Sequence, residues 1–172
     1  MDFLELAKER FSVRSYSPKP VEPEKVAKIL EAAQAAPTAT NSQPQRVYVL
    51  QSPEALEKIR RVSKSTYEAP LVFLVCSDKD RAWKSRYVEG YDSGEMDASI
   101  VCCHMMLEAT ALGLGSLWVL LFDPAKARVE FDLPESVRPH CLLCVGYKGQ
   151  EAMPNPKLHE VYRPRDEWVC EL

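Results

Sequence analysis

The sequence predicts a single mixed domain in which a sheet is covered by helices. Three observations carry that prediction. Segments of strand character alternate with segments of helical period along the chain. Leu71–Cys76 is apolar throughout, the pattern of a fully buried strand. Glu95–Leu112 carries apolar side chains on nearly all sides, the pattern of a central, buried helix. At 172 residues the chain fits one domain and can bury a core without staples. Its 46% hydrophobic and 27% charged residues are ordinary for a globular protein and exclude a disordered one.

The elements follow in order. Phe3, Leu4, Leu6 and Ala7 repeat at helical spacing, so Asp2–Arg10 reads as a short helix. Phe11–Pro20, with two prolines among small and β-branched residues, must be extended. Pro23 suits the first turn of a second helix, with Glu22 and Glu24 at its positive end and Val26, Ile29, Leu30 and Ala33 as its apolar stripe. That helix stops near Pro37, and Thr38–Gln45 is a polar loop. Arg46–Leu50 is strand-like, and Ser52-Pro53 opens another helix with a cap and a first-turn proline. After the apolar strand, Asp78–Gly94 is a charged insertion bearing Trp83, Arg86, Tyr87 and Tyr91, either a solvated loop or a surface that stacks on a ligand. The buried helix then leads to a strand over Leu117–Phe122, a short helix opened by Asp123-Pro124 and a last strand over Cys141–Tyr147. Residues 148–172 form an irregular tail whose Val161, Tyr162, Trp168 and Val169 need a surface to cover, and a partner subunit could supply it.

Charge and targeting patterns narrow the function. With 22 basic and 25 acidic residues the chain lacks a nucleic-acid footprint. Ser99–Phe122 is broken by His104, Glu108 and the glycines at 113 and 115, so no membrane span is expected. No basic-then-apolar leader opens the sequence, and a cytoplasmic location is expected. Four of the six cysteines sit in apolar runs as small hydrophobes. Adjacent Cys102 and Cys103 diverge on a helix, and Cys141 and Cys144 face opposite sides of a strand. Neither pair suits a metal, and no metal site is expected.

Three elements could carry chemistry. In an extended segment Arg10, Ser12 and Arg14 point to one side, two guanidinium groups around a hydroxyl. Such a row suits a phosphate monoester, and alone it equally suits a basic edge strand. Ala36-Pro37-Thr38-Ala39-Thr40-Asn41-Ser42-Gln43-Pro44 offers amides and hydroxyls on a backbone fixed by prolines, fit for a heterocycle edge or an ordinary turn. Gly113-Leu114-Gly115-Ser116-Leu117-Trp118-Val119 ends the buried helix and allows close backbone approach. It lacks the third glycine and the following helix of a dinucleotide fingerprint.

In this order, the three resemble the nitroreductase family of flavoproteins. The family's Arg-x-Ser-x-Arg-x-aromatic opening is matched by Arg10 to Tyr16, and its Ala-Pro-Ser-x-x-Asn-x-Gln-Pro run by Ala36 to Pro44. Asp97 leads to Leu112-Gly113-Leu114-Gly115-Ser116 as in the family, Val145-Gly146-Tyr147 matches its late turn, and Arg163-Pro164 its closing basic-Pro segment. The resemblance implies an α+β fold, a mainly antiparallel sheet flanked by helices, in an intertwined homodimer with FMN at the interface. It implies one FMN-binding domain over residues 1–172, with 148–172 embracing the partner.

Carried over by position, Arg10, Ser12 and the Phe11 backbone would hold the FMN phosphate, joined by Arg163. Arg14 would lie near the flavin pyrimidine edge, where a cation stabilises the reduced anion. Pro37, Thr38, Ala39, Asn41 and Gln43 would come from the other subunit, and Trp118, Leu120 and Leu121 would place the strand end beside flavin N5. The implied activity is ping-pong transfer of hydride from NADH or NADPH, through flavin N5, to a nitroaromatic, quinone or similar acceptor, with no catalytic side chain. Three positions depart from the family. Phe11 replaces a frequent basic residue or His, Gln45 a frequent Trp, and Leu121 a frequent Gly or Ala. The last keeps open a flavin-binding protein without NAD(P)H turnover, for storage or sensing, or a reductive dehalogenase or flavin-modifying relative.

Overall fold

The computed structural model describes residues 2–172. Asp2 opens α1 (Phe3–Glu9) through a reciprocal cap: the Glu5 amide donates to the Asp2 carboxylate at 2.8 Å and the Asp2 amide to the Glu5 carboxylate at 3.1 Å. Pro23 starts α2 (Pro23–Ala35), which buries Val26, Ile29 and Ala33. A single turn at Ala39–Asn41 leads to β1 (Gln45–Leu50). Ser52 caps α3 (Pro53–Val62), and β2 (Leu71–Asp78) is buried at every position. Then come α4 (Gly94–Ala111), β3 (Gly115–Val119), α5 (Pro124–Glu130), β4 (Val137–Gly146) and the one-turn α6 (Pro156–His159).

The strands form one antiparallel sheet in the order β1-β2-β4-β3, an α+β fold. Alternation along the strands divides the core in two. Phe73, Leu143 and Val145 face α2 and α4, meeting Ile29, Val101 and Met105. Leu74, Leu142 and Cys144 face α3 and α5, meeting Ile59 and Ala127. Cys141 and Cys144 therefore lie in opposite halves of the core, and burial pushes the Cys144 thiol up to about 12.

Two strands differ from the expected bounds. β3 stops at Val119 and does not continue to Phe122. Beyond it the backbone finds other partners: the Ser63 hydroxyl donates to the Leu121 carbonyl at 2.7 Å, and the Phe122 amide donates to Leu120 at 3.0 Å. β4 begins four residues earlier than Cys141, at Val137. Its start is hidden in sequence by Pro139, which the sheet accommodates at a register shift opposite Val75 and Cys76.

The N-terminal segment extends this sheet. The Val13 amide donates to Ser116 at 2.9 Å, and the Ser17 amide donates to Tyr147 at 2.9 Å. In return Gly149 donates to Ser15 at 2.9 Å. Residues 12–17 thus seal the edge formed by β3 and the end of β4. Gly115 makes the seal possible, because a Cβ there would meet Val13 at 2.8 Å.

A half-buried cluster ties this seam to α2. The Tyr147 hydroxyl donates to Glu22 at 2.7 Å, and Lys19 pairs with Glu22 at 2.9 Å. These contacts, the Tyr147 hydroxyl first, hold the Glu22 carboxyl at about 2, below its ordinary 4.5. A depressed carboxylate contributes stability above its unfolded pKa and loses it as pH falls through the folded one. The window is therefore pH 4.5 to about 2. Thermal unfolding of Tyr147→Phe should show a shallower loss of Tm across that window than the parent protein. Identical slopes would remove Glu22 from the acid response.

Candidate functional site

The alternation predicted for the N-terminal segment is present. Val13 is buried against Gly115, so its flanking residues Ser12 and Arg14 turn the other way. Arg10 joins them, held at the end of α1 by its amide bond to Leu6 at 3.2 Å. Arg10, Phe11, Ser12 and Arg14 line one cavity of about 260 Å³ together with Lys8, Asn155, Leu158, His159 and Tyr162. The lining contains three permanent cations and no carboxylate. Among the described residues none of Lys8, Arg10 and Arg14 makes an ion pair, although nine other pairs form. An anion with several acceptor oxygens fits this donor set.

The second element lies elsewhere. Pro37–Gln43 does not touch that cavity. Its backbone is strained: Thr40, Asn41 and Gln43 hold φ of 53°, 55° and 48°. Such angles persist only where the surroundings enforce them. The buried Asp97 carboxylate, in the first turn of α4, supplies much of that enforcement. It accepts the Ala39 amide at 2.9 Å and the Ser93 hydroxyl at 2.6 Å. Within the loop the Gln43 amide donates to the Thr38 hydroxyl at 3.0 Å, and the Gln43 side chain donates to Asn41 at 3.2 Å. The amides and hydroxyls are thereby presented on the surface as one shaped edge.

The third element gives a half-buried Trp118 against the α4 side of the core, its indole N–H buried without a partner. Leu120 and Leu121 lie beyond the strand with 72% and 79% exposure. Both side chains stand at the surface beyond the end of β3.

Arg163 is placed apart from the cavity. Its guanidinium reaches Glu167, donating to the backbone oxygen at 3.4 Å with the carboxylate 3.9 Å away. The tail instead contributes Asn155, Leu158, His159 and Tyr162. No periodicity or motif pointed to these four, because their placement comes from an irregular tail folding back on α1. Lys8 was hidden for a simpler reason: it reads as an ordinary surface lysine on a short helix.

In the 79–93 insertion, Tyr91 lines a separate cavity of about 490 Å³ with Asp92, Glu95, Met96, Arg138 and His140. Arg138 holds Asp92 at 2.6 Å, and His140 bonds the Ser77 hydroxyl at 2.7 Å. Tyr87 is 96% exposed, while Trp83 is half-buried and accepts the Ser93 amide at 2.9 Å. Among the described residues no cluster of three or more His, Cys, Asp or Glu could hold a metal ion, and no helix is long and apolar enough to cross a membrane.

Comparison with known proteins agrees with this architecture. The Nitroreductase family model matches residues 7–69 and 63–147. A nitroreductase family protein from Clostridium difficile 630 superposes with a TM-score of 0.92 at 42% identity, over 99% of this chain and 98% of that one. An FMN-dependent nitroreductase from Clostridium difficile R20291 superposes with a TM-score of 0.73 at 26% identity, over 94% and 98%. The FMN reductase [NAD(P)H] of Bacillus subtilis is 29% identical over 185 residues, covering 94% of this chain and 74% of its own. The Arg10 row, the left-handed loop at 40–43 and the helix that Asp97 opens are thus set in the architecture of relatives matched almost end to end, and the chain belongs to the nitroreductase family.

Proposed function

We propose that the protein is an FMN-dependent oxidoreductase that uses NADH or NADPH to reduce a nitroaromatic, a quinone or a similar electrophile. The observation that carries this reading is the cavity with Lys8, Arg10, Arg14 and Ser12 and no carboxylate, built to hold a phosphate monoester. Its similarity to an FMN-dependent nitroreductase and to an FMN reductase supports the same cofactor.

The site requires a second copy of the chain. A cavity of about 260 Å³ holds only one end of a flavin nucleotide, since complete small-molecule sites span roughly 300–1,000 Å³. The loop suited to a heterocycle edge hangs from Asp97 at one end of α4, whereas Thr110 at the other end lies beside Arg10. At 1.5 Å per residue these ends are roughly 20 Å apart. One protomer therefore offers a phosphate cradle and a ring-binding loop that it cannot bring together. Apolar surface supports the partner: Phe3 and Leu4 of α1 are 71% and 61% exposed, and Tyr162 and Trp168 of the tail are 73% and 62% exposed. In the intertwined homodimer the 148–172 tail embraces the partner, and residues 1–172 act as one FMN-binding domain.

Arg10, Ser12 and the Phe11 backbone hold the phosphate in this reading. Arg14 offers its charge to the pyrimidine edge. Pro37, Thr38, Ala39, Asn41 and Gln43 of a second copy cover the ring, and Trp118, Leu120 and Leu121 border its reactive edge. Bound there, FMN supplies hydride transfer between the nicotinamide and the acceptor. The protein's part is to fix the ring, exclude water around it and place cations where negative charge grows. Six free cysteines, four of them fully buried, suit a reducing compartment, and we place the protein in the cytoplasm.

The freshly purified protein should carry a visible flavin spectrum, with FMN released on heating. A colourless protein that ignores added FMN would remove this reading. Arg10→Ala should weaken FMN binding by about tenfold or more, the worth of one charge-assisted bond, while the unfolding midpoint of the flavin-free protein stays close to the parent's. Equal FMN affinity would sink the phosphate role. Asp97→Ala should act differently. It leaves the Ala39 amide unpaired, lowers stability by about 1–3 kcal/mol and weakens FMN and riboflavin alike, because the loop faces the ring. Asp97→Asn, which keeps an acceptor oxygen, should fall between. Titration of both flavins by fluorescence, with melting curves of each variant, checks all three.

A further inference from the structure

Between Met153 and Trp168 every residue of the tail is exposed except His159. Its backbone amide is held by Asn155 at 2.8 Å across the single turn of α6. Its ring meets Phe11 edge-on, with centroids 6.0 Å apart and planes at 71°. Lys148 approaches the same Phe11 ring, with its ammonium 5.1 Å from the centroid. A lysine and a histidine from distant parts of the chain thus gather around the Phe11 ring. His159 also lines the cavity that holds Lys8, Arg10, Ser12 and Arg14, whereas Arg163 is turned to Glu167.

We propose that His159, rather than Arg163, is the residue by which the tail holds the phosphate of the cofactor, and that an occupied cavity fastens the tail to the N-terminal segment. The proposal rests on the FMN reading above. An imidazole presents an N–H to a phosphate oxygen in either protonation state. Phe11 packs one edge of the ring, so His159 enters the cavity with its rotamer already restricted, and less freedom is lost on binding. Riboflavin has the same isoalloxazine and ribityl chain but no phosphate, so it gives His159 nothing to hold. The tail should therefore distinguish the two flavins, and so should its own mobility. Because residues 148–172 also cover the partner in the proposed dimer, loading with the phosphorylated cofactor would tighten the assembly where loading with riboflavin would not.

The test compares FMN and riboflavin affinities, by flavin fluorescence, in the parent protein, His159→Ala, His159→Gln and Arg163→Ala. Trypsin cleavage of the tail, which offers Lys157 and Arg165 while Pro164 protects the bond after Arg163, is followed in parallel with each flavin. His159→Ala should lose about tenfold or more of its preference for FMN over riboflavin, the worth of one charge-assisted bond, with riboflavin affinity unchanged. His159→Gln, which keeps an N–H donor, should recover part of that loss and carries the test should the alanine variant fail to fold. FMN, and not riboflavin, should slow tail cleavage in the parent and fail to do so in His159→Ala. An unchanged preference in His159→Ala, or a larger loss in Arg163→Ala, would overturn the proposal. A parent that binds both flavins equally would overturn the phosphate contact alone. A parent that binds neither would overturn the FMN reading itself.

Discussion

The pairing of residues 12–17 against the sheet edge is the constraint on which the candidate site depends. Isolated backbone segments do not hold three polar side chains in a row, because each residue must first be fixed at a cost of about 1–2 kcal/mol. Here three backbone hydrogen bonds and the burial of Val13 supply that fixation. The bare Cα of Gly115 lets Val13 come close enough to be buried. Gly146, directly opposite Gly115 across the β3–β4 pairing, does the same, since a Cβ there would meet the Pro70 ring at 2.7 Å and Tyr16 at 3.0 Å. The glycines thus act on the phosphate cradle through packing, without touching it. A side chain at either position would push the strip outward and move Ser12 and Arg14 with it.

Helix α4 imposes the second constraint. It carries apolar side chains on nearly all sides and lies against the sheet, so its two ends are rigidly spaced. The Asp97 end carries the strained loop, and the Thr110 end abuts the cradle segment. In the proposed two-copy site, the loop of each copy would meet the cradle of the other across this spacer. The second face of α4, with Ile100, Cys103 and Leu107 half-buried, carries no charged cover at its centre and suits such a contact. The same logic accounts for a tail that leaves the sheet at Gly146 and never regains a core of its own.

Much of this was legible in the sequence, and the exceptions have specific causes. Periodicity located every α-helix of seven residues or more, because Pro23, Ser52-Pro53 and Asp123-Pro124 mark starts that local chemistry determines. The Arg10, Ser12, Arg14 row was legible because strand alternation is a local property. The ends of β3 and β4 were not. Val119 ends β3 because Ser63, distant in sequence, captures the Leu121 carbonyl, and β4 runs through Pro139 because the sheet shifts register there. The tail residues at the cavity were illegible for a related reason: α6 is four residues long and is positioned by contact, not by propensity. Leu121 was visible as a residue type, but its place beyond the strand end was not, because Val119 closes β3 through a contact distant in sequence.

The electrostatic design of the cradle has a thermodynamic corollary. The chain is acidic overall, at net −3, yet it concentrates Lys8, Arg10 and Arg14 without a carboxylate among them. Five other arginines are tied to acids, among them Arg61 to Glu130 at 2.8 Å and Arg138 to Asp92 at 2.6 Å. Among the described residues Lys8, Arg10 and Arg14 have no acidic partner, so a bound dianion would supply the pairing that the chain itself does not. A ligand that binds only the folded state adds stability by mass action, about 2.7 kcal/mol at a hundredfold excess over its dissociation constant. Charge pairing of this kind is screened, so salt must weaken cofactor loading. The 40–43 loop is held in an unfavourable backbone conformation by Asp97 before any ligand arrives, so its shape costs nothing further on binding. If a single ligand is shared between two copies, as proposed, cofactor binding and dimer assembly form one linked equilibrium, with the sheet and α4 as the rigid frame that links them.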